Sequence, residues 1–364
     1  MRKILFVTFQ DFANVSTDIA WAINNHLEGW EARVCSCIPH PFDYPRKHDI
    51  DFDFSTPEQK EDMERWIHEG IDVLIWAEEE TYPHYYYSFY SPGQAYSNAI
   101  LFGMRDLLGV NAKKFIFHAG VAYRNYSAQY NEMDAKWFDG QILSPDLWRL
   151  SRELEGIGCF GKPMIDLDGA ALPDRWAPFL PGRTGPKELV VCHSPTDYGH
   201  KGTGIIDAAV ARVQKRLPHV SYRHIGGPVH DGKHIPHSEV IRQRRECHIY
   251  IDQFSEIGGI GMSALEAMGG GLITLCTTHM IPESIWTASG LRSSDCPLIR
   301  LPAPTRDKEV DIQSVESALF DICYRPDKMP SMAMSGIQWV MKSMDPKRFA
   351  ERFILSLKEP LDCA

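Results

Sequence analysis

Short runs of apolar residues recur along the chain and alternate with longer segments in which apolar and polar positions mix. A continuous apolar run such as Ile4–Thr8 is typical of a strand that is buried on both faces of a parallel sheet. The segments between the runs are long enough for the crossover helices that parallel strands require. The pattern therefore predicts an α/β fold, with strands at Ile4–Thr8, Glu31–Ile38, Asp72–Trp76, Lys114–Phe117, Gln141–Leu143, Met164–Leu167, Glu188–Cys192, Ser221–Ile225, Ile249–Ile251 and Leu272–Cys276.

A cluster of prolines and glycines interrupts this alternation near the middle of the chain. Its members follow one another closely, as Pro173, Pro178, Pro181, Gly182, Gly185 and Pro186. Such a composition is typical of an interdomain linker, and a chain of 364 residues exceeds one ordinary core. We therefore predict an N-terminal domain over 1–172, a linker over 173–187, a C-terminal domain over 188–340 and a final helical segment over 341–364.

The overall composition, 44% hydrophobic and 24% charged residues, is that of a soluble globular protein. The formal net charge of -10 argues against a general nucleic-acid-binding protein, although the segment 201–245 is basic and leaves a local basic groove open. The nine cysteines include no Cys-X-X-Cys pair, and the closest spacing is Cys35-Ser36-Cys37. This usage indicates a reducing compartment and predicts no zinc site.

The apolar run after Met1 is too short for a signal peptide, and no apolar window of about 18 residues follows it. We therefore expect a cytoplasmic protein, monomeric or dimeric, without stable membrane association.

The stretch from Ile249 to Gly271 contains the strongest candidate chemistry. A predicted strand runs into a loop with Gly258, Gly259 and Gly261, and a short helix of strong helix formers follows it. Backbone N–H groups and the positive end of the helix dipole then face one point, which is a typical anion site. Glu266, about one turn into the helix, is placed to accept hydrogen bonds from ribose hydroxyls. The alternative is a tight strand–helix connection with a solvated glutamate.

Other candidates lie at predicted strand ends and in one aromatic tract. Lys201 precedes Gly202 and a predicted helix, where an ammonium group can reach phosphate oxygens. His118 and Glu78 each follow a buried strand, at the edge where open parallel sheets bind ligands. The tract 82–90 carries six aromatic residues, among them Tyr85 and Tyr87. These rings form either a stacking surface for sugars or bases, or a loop packed over the sheet.

The second half resembles the nucleotide-sugar domain of GT-B glycosyltransferases, in particular the retaining, family-4-like branch. The segment His118…Gly120…Arg124 is similar to an N-terminal motif of that branch, and Asp11…Ala13-Asn14 is a weaker match. The resemblance spans nearly the whole chain and is strongest from residue 193 to 271. The runs that carry it are His193-Ser194-Pro195…Lys201-Gly202-Thr203 and Ile251-Asp252-Gln253…Gly258…Gly261…Leu265-Glu266-Ala267-Met268.

The resemblance implies two Rossmann-like domains that face each other across a cleft, with the last helix crossing back to the first domain. It implies that the donor is a nucleotide sugar, with a UDP-sugar favoured, and that no metal or other cofactor takes part. His118, Lys201 and Glu266 would be catalytic. The donor would contact His193, Ser194, Lys201, Gly202, Gly258, Gly259, Gly261 and Glu266, and the acceptor would contact Asp11, Asn14, Glu78, Tyr85, Tyr87 and Arg124.

Two positions depart from the family pattern. The family's common first glutamate, eight residues before Glu266, is Gly258 in this chain, so a direct carboxylate contact with the sugar is lost. An arginine that many members carry shortly before the lysine corresponds to Tyr198, so neutralisation of the phosphates depends more on Lys201. Asp51-Phe52-Asp53 matches the letters of the Asp-X-Asp metal motif, but it lies in a segment predicted to be a polar, acidic loop.

Two other classes of protein fit parts of the sequence. The run Gly259-Ile260-Gly261-Met262-Ser263-Ala264 matches the letters of the dinucleotide fingerprint after a strand, which would indicate an NAD(P)-dependent oxidoreductase. A non-catalytic protein that binds sugars or nucleic acids is the other alternative. For the favoured glycosyltransferase we expect transfer of a hexose, glucose from a UDP-sugar in the first place. Its hydroxyl acceptor is left open between a saccharide, a small molecule and a hydroxylated nucleobase in DNA.

Overall fold

The computed structural model of the chain describes residues 1–8, 11–36, 40, 42–45, 49–53, 57–77, 110–118, 121–147, 150, 157–158, 161–165, 171–183, 188–228, 232 and 234–362. These residues form two compact units, each built around one parallel sheet. Unit 1 comprises 1–40, 45–163 and 346–364, and unit 2 comprises 41–44 and 164–345. None of the described helices is both long enough and apolar enough to span a membrane.

Unit 1 contains a seven-stranded parallel sheet in the order β3-β2-β1-β4-β5-β6-β7. Its central strands are continuous apolar runs with no exposed side chains at their centres, as the sequence pattern predicts for strands covered on both faces. In chain order its elements are β1 (Arg2–Thr8), α1 (Val15–His26), β2 (Trp30–Ser36), β3 (Asp51–Asp53), α2 (Pro57–His68), β4 (Val73–Ala77), β5 (Lys113–His118), α3 (Val121–Trp137), β6 (Gly140–Leu143) and β7 (Ile157–Gly158).

Unit 2 contains a five-stranded parallel sheet in the order β12-β11-β10-β8-β9. The helices between its strands include the two that bound the candidate site, α4 and α6. In chain order its elements are β8 (Leu189–His193), α4 (Thr203–Arg216), β9 (Val220–His224), α5 (His237–Arg244), β10 (Ile249–Gln253), α6 (Met262–Gly269), β11 (Ile273–Thr277), α7 (Glu283–Ala288), β12 (Ile299–Leu301), α8 (Lys308–Cys323) and α9 (Met329–Ser343).

The last helix, α10 (Pro346–Asp362), belongs to unit 1 although it follows unit 2 in the chain. Its apolar face packs on that unit, and the ring of Phe353 stacks at 6.1 Å from the ring of Phe6 in β1. The return of the C-terminal segment to the first unit is therefore observed, and it begins at residue 346.

The strand order of unit 2 reverses between β8 and β10. β9 lies on one side of β8, whereas β10, β11 and β12 lie in sequence on the other side. In open parallel sheets the connections leave in opposite directions at such a point, and a crevice for ligands opens at the carboxyl ends of the two strands. The residues that follow β8 and β10 are the segments that the sequence marks as phosphate-binding candidates. The fold therefore gives unit 2 one favoured edge for a ligand.

The predicted linker differs from the structure. Residues 174–179 form a 3₁₀ helix, and its Trp176 and Phe179 are buried in the core of unit 2. The indole N–H of Trp176 donates a hydrogen bond of 2.9 Å to the carbonyl oxygen of Gly271. The prolines break regular secondary structure here, but the aromatic residues between them anchor the segment, so unit 2 begins at Met164 rather than after residue 187.

We predict that Trp176→Ala lowers the free energy of unfolding of the protein by about 3–5 kcal/mol, because it removes a fully buried indole from the core. Leu180→Ala, four residues on and 38% exposed, is the matched control and should change stability by less than about 1 kcal/mol. Urea unfolding monitored by circular dichroism measures both variants. Equal stabilities for Trp176→Ala and the wild type would show that residues 174–179 are a loose connection.

Candidate functional site

The candidate site of unit 2 lies where β8 and β10 end. β8 ends at His193, and β10 ends at Asp252 and Gln253; all three side chains are buried. The segment after β8 leads through Lys201 into α4, and the segment after β10 leads through the glycine loop 258–261 into α6. Buried polar side chains at the end of an apolar strand need partners, and those partners define the geometry of the site.

His193 is a structural bridge inside this site. Its Nδ1 lies 2.7 Å from the carbonyl oxygen of Ile251, so Nδ1 carries the proton and donates it. Its Nε2 lies 3.0 Å from Oγ1 of Thr203 and therefore accepts the hydroxyl proton. Burial lowers the pKa of His193 to about 3, and the ring is neutral at physiological pH. The imidazole joins β8, β10 and α4, and its nitrogen atoms are already used in the protein.

Lys201 is held by a buried carboxylate. Its Nζ lies 3.0 Å from Oδ1 of Asp252, whose side chain is fully buried, while the lysine side chain is 17% exposed. Burial alone would raise the pKa of Asp252, but the charges of Lys201 and Arg244 outweigh burial and keep that pKa below its ordinary value. The ion pair fixes the ammonium group at the carboxyl edge of the sheet, and the exposed part of Lys201 is available to an anion.

Glycine is required at the turn that positions Lys201. Gly202 has a φ of 68°, in the left-handed region, and it precedes the first residue of α4. A Cβ atom at this position would lie 1.9 Å from the carbonyl oxygen of Phe254, in the segment after β10. The amide of Phe254 also donates a 3.0 Å hydrogen bond to the carbonyl of Lys201, so the two segments are joined by their main chains.

The glycine loop presents its N–H groups away from the sheet. The carbonyl oxygen of Gly259 accepts from Nε2 of Gln253 at 2.5 Å and from Sγ of Cys276 at 3.1 Å, so it points toward the strands. In a trans peptide the next N–H, that of Ile260, points the opposite way. Among the residues that the structure describes, none accepts a hydrogen bond from the N–H groups of residues 259–263.

Gly261 brings this row of donors against Lys201. A Cβ atom at Gly261 would lie 2.9 Å from Oδ2 of Asp252 and 3.3 Å from Nζ of Lys201. The start of α6, the adjacent unpaired N–H groups and one ammonium group therefore converge. This arrangement binds anions, because the donors are fixed in advance and the helix dipole adds positive potential.

Glu266 lies one turn further along α6 and is already part of an ion-pair network. Both of its carboxylate oxygens lie 3.2 Å from Nε2 of His237, the first residue of α5. Nη1 of Arg244, a nearly fully buried arginine, lies 3.3 Å from Oε2. The carboxylate is only 11% exposed, so its orientation is fixed and a small part of it remains accessible.

Arg244 connects Glu266 to the rest of the site. Its guanidinium donates to Oγ of Ser194 and stacks over the ring of Tyr250, with 4.6 Å between the guanidinium carbon and the ring centroid. The hydroxyl of Tyr250 donates in turn to Oδ1 of Asp252 at 3.2 Å. A single polar network thus runs from Glu266 to Lys201. Two carboxylates face two permanent cations within it, which accounts for the burial of four charges.

A short segment from the first half of the sequence also belongs to unit 2. The carbonyl of Phe42 accepts the 2.7 Å hydrogen bond of the His237 main-chain N–H, and the ring of Tyr44 lies 4.5 Å from the imidazole of His237. The segment 42–44 thus contacts the histidine that pairs with Glu266.

His118 of unit 1, which the resemblance implies to be catalytic, lies in a buried polar cluster. Its side chain is fully buried, its Nε2 lies 2.7 Å from Oδ2 of the equally buried Asp134, and its ring stacks at 4.0 Å on Tyr123. Gln141 and Asn131 complete this buried polar cluster. The described side chain thus offers no surface to a sugar, and the geometry supports a role in holding α3 against β5 and β6.

Three of the acceptor residues predicted in unit 1, Asp11, Asn14 and Arg124, have hydrogen-bond partners within that unit. The carboxylate of Asp11 accepts the N–H groups of Ser16 and Thr17 at the start of α1, and burial raises the pKa of Asp11. The amide of Asn14 donates to the carbonyl of Pro45, and Arg124 pairs with Asp146. The remaining three, Glu78, Tyr85 and Tyr87, lie outside the described residues.

Ala13 and Asn14 have φ values of 52° and 56°, which is rare for residues with side chains. Lys162, itself buried, donates to the carbonyl of Ala13 and pairs with Asp18 at 2.9 Å, so the segment is held in this conformation by its surroundings. In the described residues, no group of three or more His, Cys, Asp or Glu side chains is arranged to hold a metal ion.

Sequence reasoning located Lys201, Glu266 and the glycine loop but missed the residues that orient them. Asp252 was part of the quoted pattern without a role of its own, although an aspartate at the end of an apolar strand is a usable signal. Arg244 and His237 lie in the basic segment 201–245, and no local motif distinguishes them from its other residues. Tyr198, at the position of the family's arginine, has its ring 5.4 Å from that of His224.

Comparison with known proteins identifies the fold. No protein-family model matches the chain, and no curated protein sequence does. Solved structures do match it. The trehalose 6-phosphate synthase of Burkholderia multivorans aligns over 100% of both chains with 10% identity and a TM-score of 0.56. A variant of the O-GlcNAc transferase of Thermobaculum terrenum aligns over 99% of this chain and 67% of its own, with 13% identity and a TM-score of 0.54.

The pneumococcal O-GlcNAc transferase GtfA, solved in complex with UDP and GlcNAc, aligns over 80% of this chain with 13% identity and a TM-score of 0.50. The chain spans only 57% of the length of that relative. The α/β architecture of two parallel-sheet units is the GT-B fold of these glycosyltransferases, which confirms the predicted fold class.

We predict that Gly202→Ala lowers the free energy of unfolding by more than about 2 kcal/mol, because the methyl group meets the Phe254 carbonyl and the backbone conformation is strained. Gly204→Ala is the matched control, since nothing lies within 4 Å of a Cβ atom there and alanine favours the helix by about 0.5–1 kcal/mol. Thermal unfolding of both variants measures the difference. Similar stabilities would contradict the main-chain contact described for residue 202.

The pH dependence of stability tests the neutral state of His193. Its folded pKa of about 3 lies below the ordinary value of 6.5, so the unfolded chain binds the extra proton between these pH values. This group's stabilisation is complete above pH 6.5 and is lost as the pH falls toward 3, by up to about 1.4 kcal/mol per pH unit. His193→Asn cannot titrate there, so its unfolding free energy should fall less steeply between pH 7 and 5. Identical slopes of the unfolding free energy against pH for the two proteins would show that the fold does not lower the pKa of His193.

Proposed function

We propose that this chain, which has the GT-B fold, is a glycosyltransferase that takes a sugar from a nucleotide-sugar donor bound in unit 2 and transfers it to a hydroxyl group. Similarity to solved structures, at 10–13% identity, is the evidence for the fold. The residues of unit 2 are the support for the proposed activity. Two of the similar structures are O-GlcNAc transferases, and one of them was solved with UDP.

One observation carries the proposal. At the point where the strand order of unit 2 reverses, Lys201 is fixed 3.0 Å from Asp252 and beside Gly261, next to a row of main-chain N–H groups without acceptors among the described residues. Each feature has structural explanations when taken alone. Together they give a rigid group of donors at the ligand edge of a parallel sheet, which suits a diphosphate.

The chemistry of glycosyl transfer explains why such a group would accelerate the reaction. The bond between the anomeric carbon and the diphosphate oxygen breaks while the acceptor oxygen forms the new bond. Negative charge builds up on the departing nucleoside diphosphate, and donors placed in advance stabilise that charge more than they stabilise the bound ground state. Lys201 and the helix start supply this stabilisation from the protein's own groups, so we propose a reaction that needs no metal ion.

Glu266 is the proposed ribose contact. Arg244 and His237 hold its carboxylate from two sides, and the part that remains exposed can accept hydrogen bonds from vicinal hydroxyls. Because its charge is balanced inside the protein, Glu266 can approach a diphosphate-bearing ligand without uncompensated repulsion. Arg244 is therefore a positioning residue in this proposal.

The finer identity of the reaction rests on the family resemblance. UDP-glucose is the favoured donor, and retention of configuration is the expected outcome for a family-4-like enzyme. The acceptor is a saccharide, a small molecule or a hydroxylated base in DNA. The acceptor-side residues proposed from the sequence include some outside the described part of the chain, so they are for mutagenesis to test.

The dinucleotide alternative fits the structure less well. The fingerprint of a dinucleotide-binding unit lies at its first strand–helix turn, whereas Gly259–Ala264 follows β10, the third strand of unit 2 in chain order. The first turn of unit 2, between β8 and α4, carries Lys201 and Gly202. A purely binding protein would share these donor contacts, Lys201 included, so turnover of the donor is what separates it from an enzyme.

The proposal is tested by incubating the purified protein with UDP-, GDP-, ADP- and dTDP-sugars in excess EDTA without an acceptor. We expect slow release of one nucleoside diphosphate, UDP in the first place, detected by chromatography. If no sugar nucleotide is hydrolysed and calorimetry shows no binding, the proposal is wrong. Binding of a sugar nucleotide without hydrolysis, in the presence of an acceptor library as well, would favour the non-catalytic alternative.

Variants of the ion pair separate catalysis from stability. Lys201→Ala should reduce donor turnover by about 10²–10³-fold, as loss of one pre-placed donor does, and it should also destabilise the fold by leaving Asp252 unpaired. The double variant Lys201→Ala/Asp252→Asn should recover much of the thermal stability without recovering turnover. Recovery of turnover in the double variant would show that Lys201 acts only on the fold.

The ribose contact is tested by Glu266→Gln, which should weaken binding of UDP about tenfold or more, since hydrogen bonds to a charged group contribute about 1.5–3 kcal/mol. The matched control is Glu239→Gln, a carboxylate that pairs with Arg242 on the surface of α5, and it should leave affinity unchanged. Titration calorimetry measures both. Equal affinities for the two variants would remove Glu266 from the donor site.

A further inference from the structure

The loop after β11 lies directly against the far end of the glycine loop. β10 and β11 are adjacent and parallel, so the segments that follow them leave the same edge of the sheet. The main-chain N–H of Met280 donates a 3.1 Å hydrogen bond to the carbonyl of Gly258. Residue 258 is therefore fixed to the loop after β11 rather than left in solvent.

His279 occupies the space that a side chain at position 258 would need. A Cβ atom on Gly258 would lie 2.5 Å from Cε1 and 2.6 Å from Nδ1 of His279. The φ of Gly258, 56°, also lies in the left-handed region. The glycine and the histidine are thus complementary, because the imidazole can lie over residue 258 only when that residue has no side chain.

The imidazole of His279 packs against Gly258 and has no hydrogen-bond partner among the described residues. Nδ1 of His279 is shielded from solvent and has no hydrogen-bond partner in the described part of the chain. The side chain as a whole is partly exposed. Nδ1 and Cε1 are the ring atoms nearest to a Cβ atom on Gly258, so Nε2 lies farther from residue 258 than they do. A polar ring fixed in this way suits a ligand contact at Nε2.

The position of His279 along the site indicates which part of a ligand it meets. Glu266 lies in α6, Gly261 with Lys201 lies at the start of that helix, and Gly258 with His279 lies three residues earlier, within about 10 Å along the chain. If the nucleoside is at Glu266 and the diphosphate at Lys201, the group beyond the diphosphate reaches the Gly258 end. That group is the sugar.

We propose that His279 is a sugar-contacting residue of the donor site, with Nε2 hydrogen-bonded to a hydroxyl group of the transferred sugar. The inference rests on the proposed function. At position 258, where the family pattern has glutamate, this chain has glycine, and His279 would supply the side chain that contacts the sugar there. Nε2 of a neutral imidazole either donates or accepts one hydrogen bond, depending on the tautomer, whereas a carboxylate only accepts. His279 would therefore help determine which sugar the enzyme takes.

The test compares UDP with UDP-glucose on the wild type, His279→Ala and His279→Asn, by titration calorimetry and by donor hydrolysis. We expect His279→Ala to bind UDP within about twofold of the wild type, and to lose about tenfold in affinity and in kcat/KM for UDP-glucose, the effect of one hydrogen bond. His279→Asn, which keeps a polar group, should recover part of the loss. Gly258→Ala, which displaces the ring, should resemble His279→Ala in this selectivity.

Three results would overturn the inference. His279→Ala and His279→Asn that bind and hydrolyse UDP-glucose like the wild type would show that the ring only fills space. Equal losses for UDP and UDP-glucose would assign His279 to the diphosphate or to the fold, and thermal unfolding would separate those two. Unchanged behaviour of Gly258→Ala, with a wild-type melting temperature, would contradict the steric relation of residues 258 and 279. Each of these three results requires a wild-type protein that binds UDP-glucose. If the proposed function is wrong, the wild type binds no nucleotide sugar, so the two failures are distinguishable.

Discussion

The ion pair between Lys201 and Asp252 is the interaction on which the candidate site depends. Asp252 ends the central strand of unit 2 in a fully buried position, where an unpaired carboxylate would cost several kcal/mol. The pair explains other features around it. Residue 261 lies so close to both charges that a side chain there would displace them. Residue 202 lies against the Phe254 carbonyl, so the turn that positions Lys201 requires glycine there. The ammonium group of Lys201, which would stabilise a departing diphosphate, is thus fixed by the contacts that join the segments after β8 and β10.

A second constraint is the absence of side chains at particular positions of the glycine loop. The loop keeps its N–H groups clear of acceptors in the described residues, because the Gly259 carbonyl is bound by Gln253 and Cys276 on the sheet side. At position 258 the absence of a side chain is matched by His279 from the neighbouring loop. The space at position 258 is therefore filled from the neighbouring loop.

The sequence predicted the parts of the structure that local patterns control. Strands such as β1, β4 and β10 are continuous apolar runs that are buried on both faces, and their positions follow from hydrophobicity alone. The two- and three-residue strands β3, β7 and β12 carry too little pattern to detect, so 51–53 is a strand and not the predicted loop. Residues 164–165 are not in a strand. The linker was misjudged because Trp176 acts through a distant partner, Gly271. Within the site, Lys201 and Glu266 were recognised from motifs, whereas the partners Arg244, His237 and Tyr44 depend on tertiary contacts that no local spacing records.

The most direct test of the central claim is amide hydrogen exchange of the wild-type protein with and without UDP, in EDTA, read by mass spectrometry. If the glycine loop and the start of α6 hold the diphosphate, peptides that cover residues 258–265 will exchange more slowly with UDP, and this protection will be lost with uridine. A UDP complex, established by calorimetry, that leaves exchange in residues 258–265 unchanged would contradict the account.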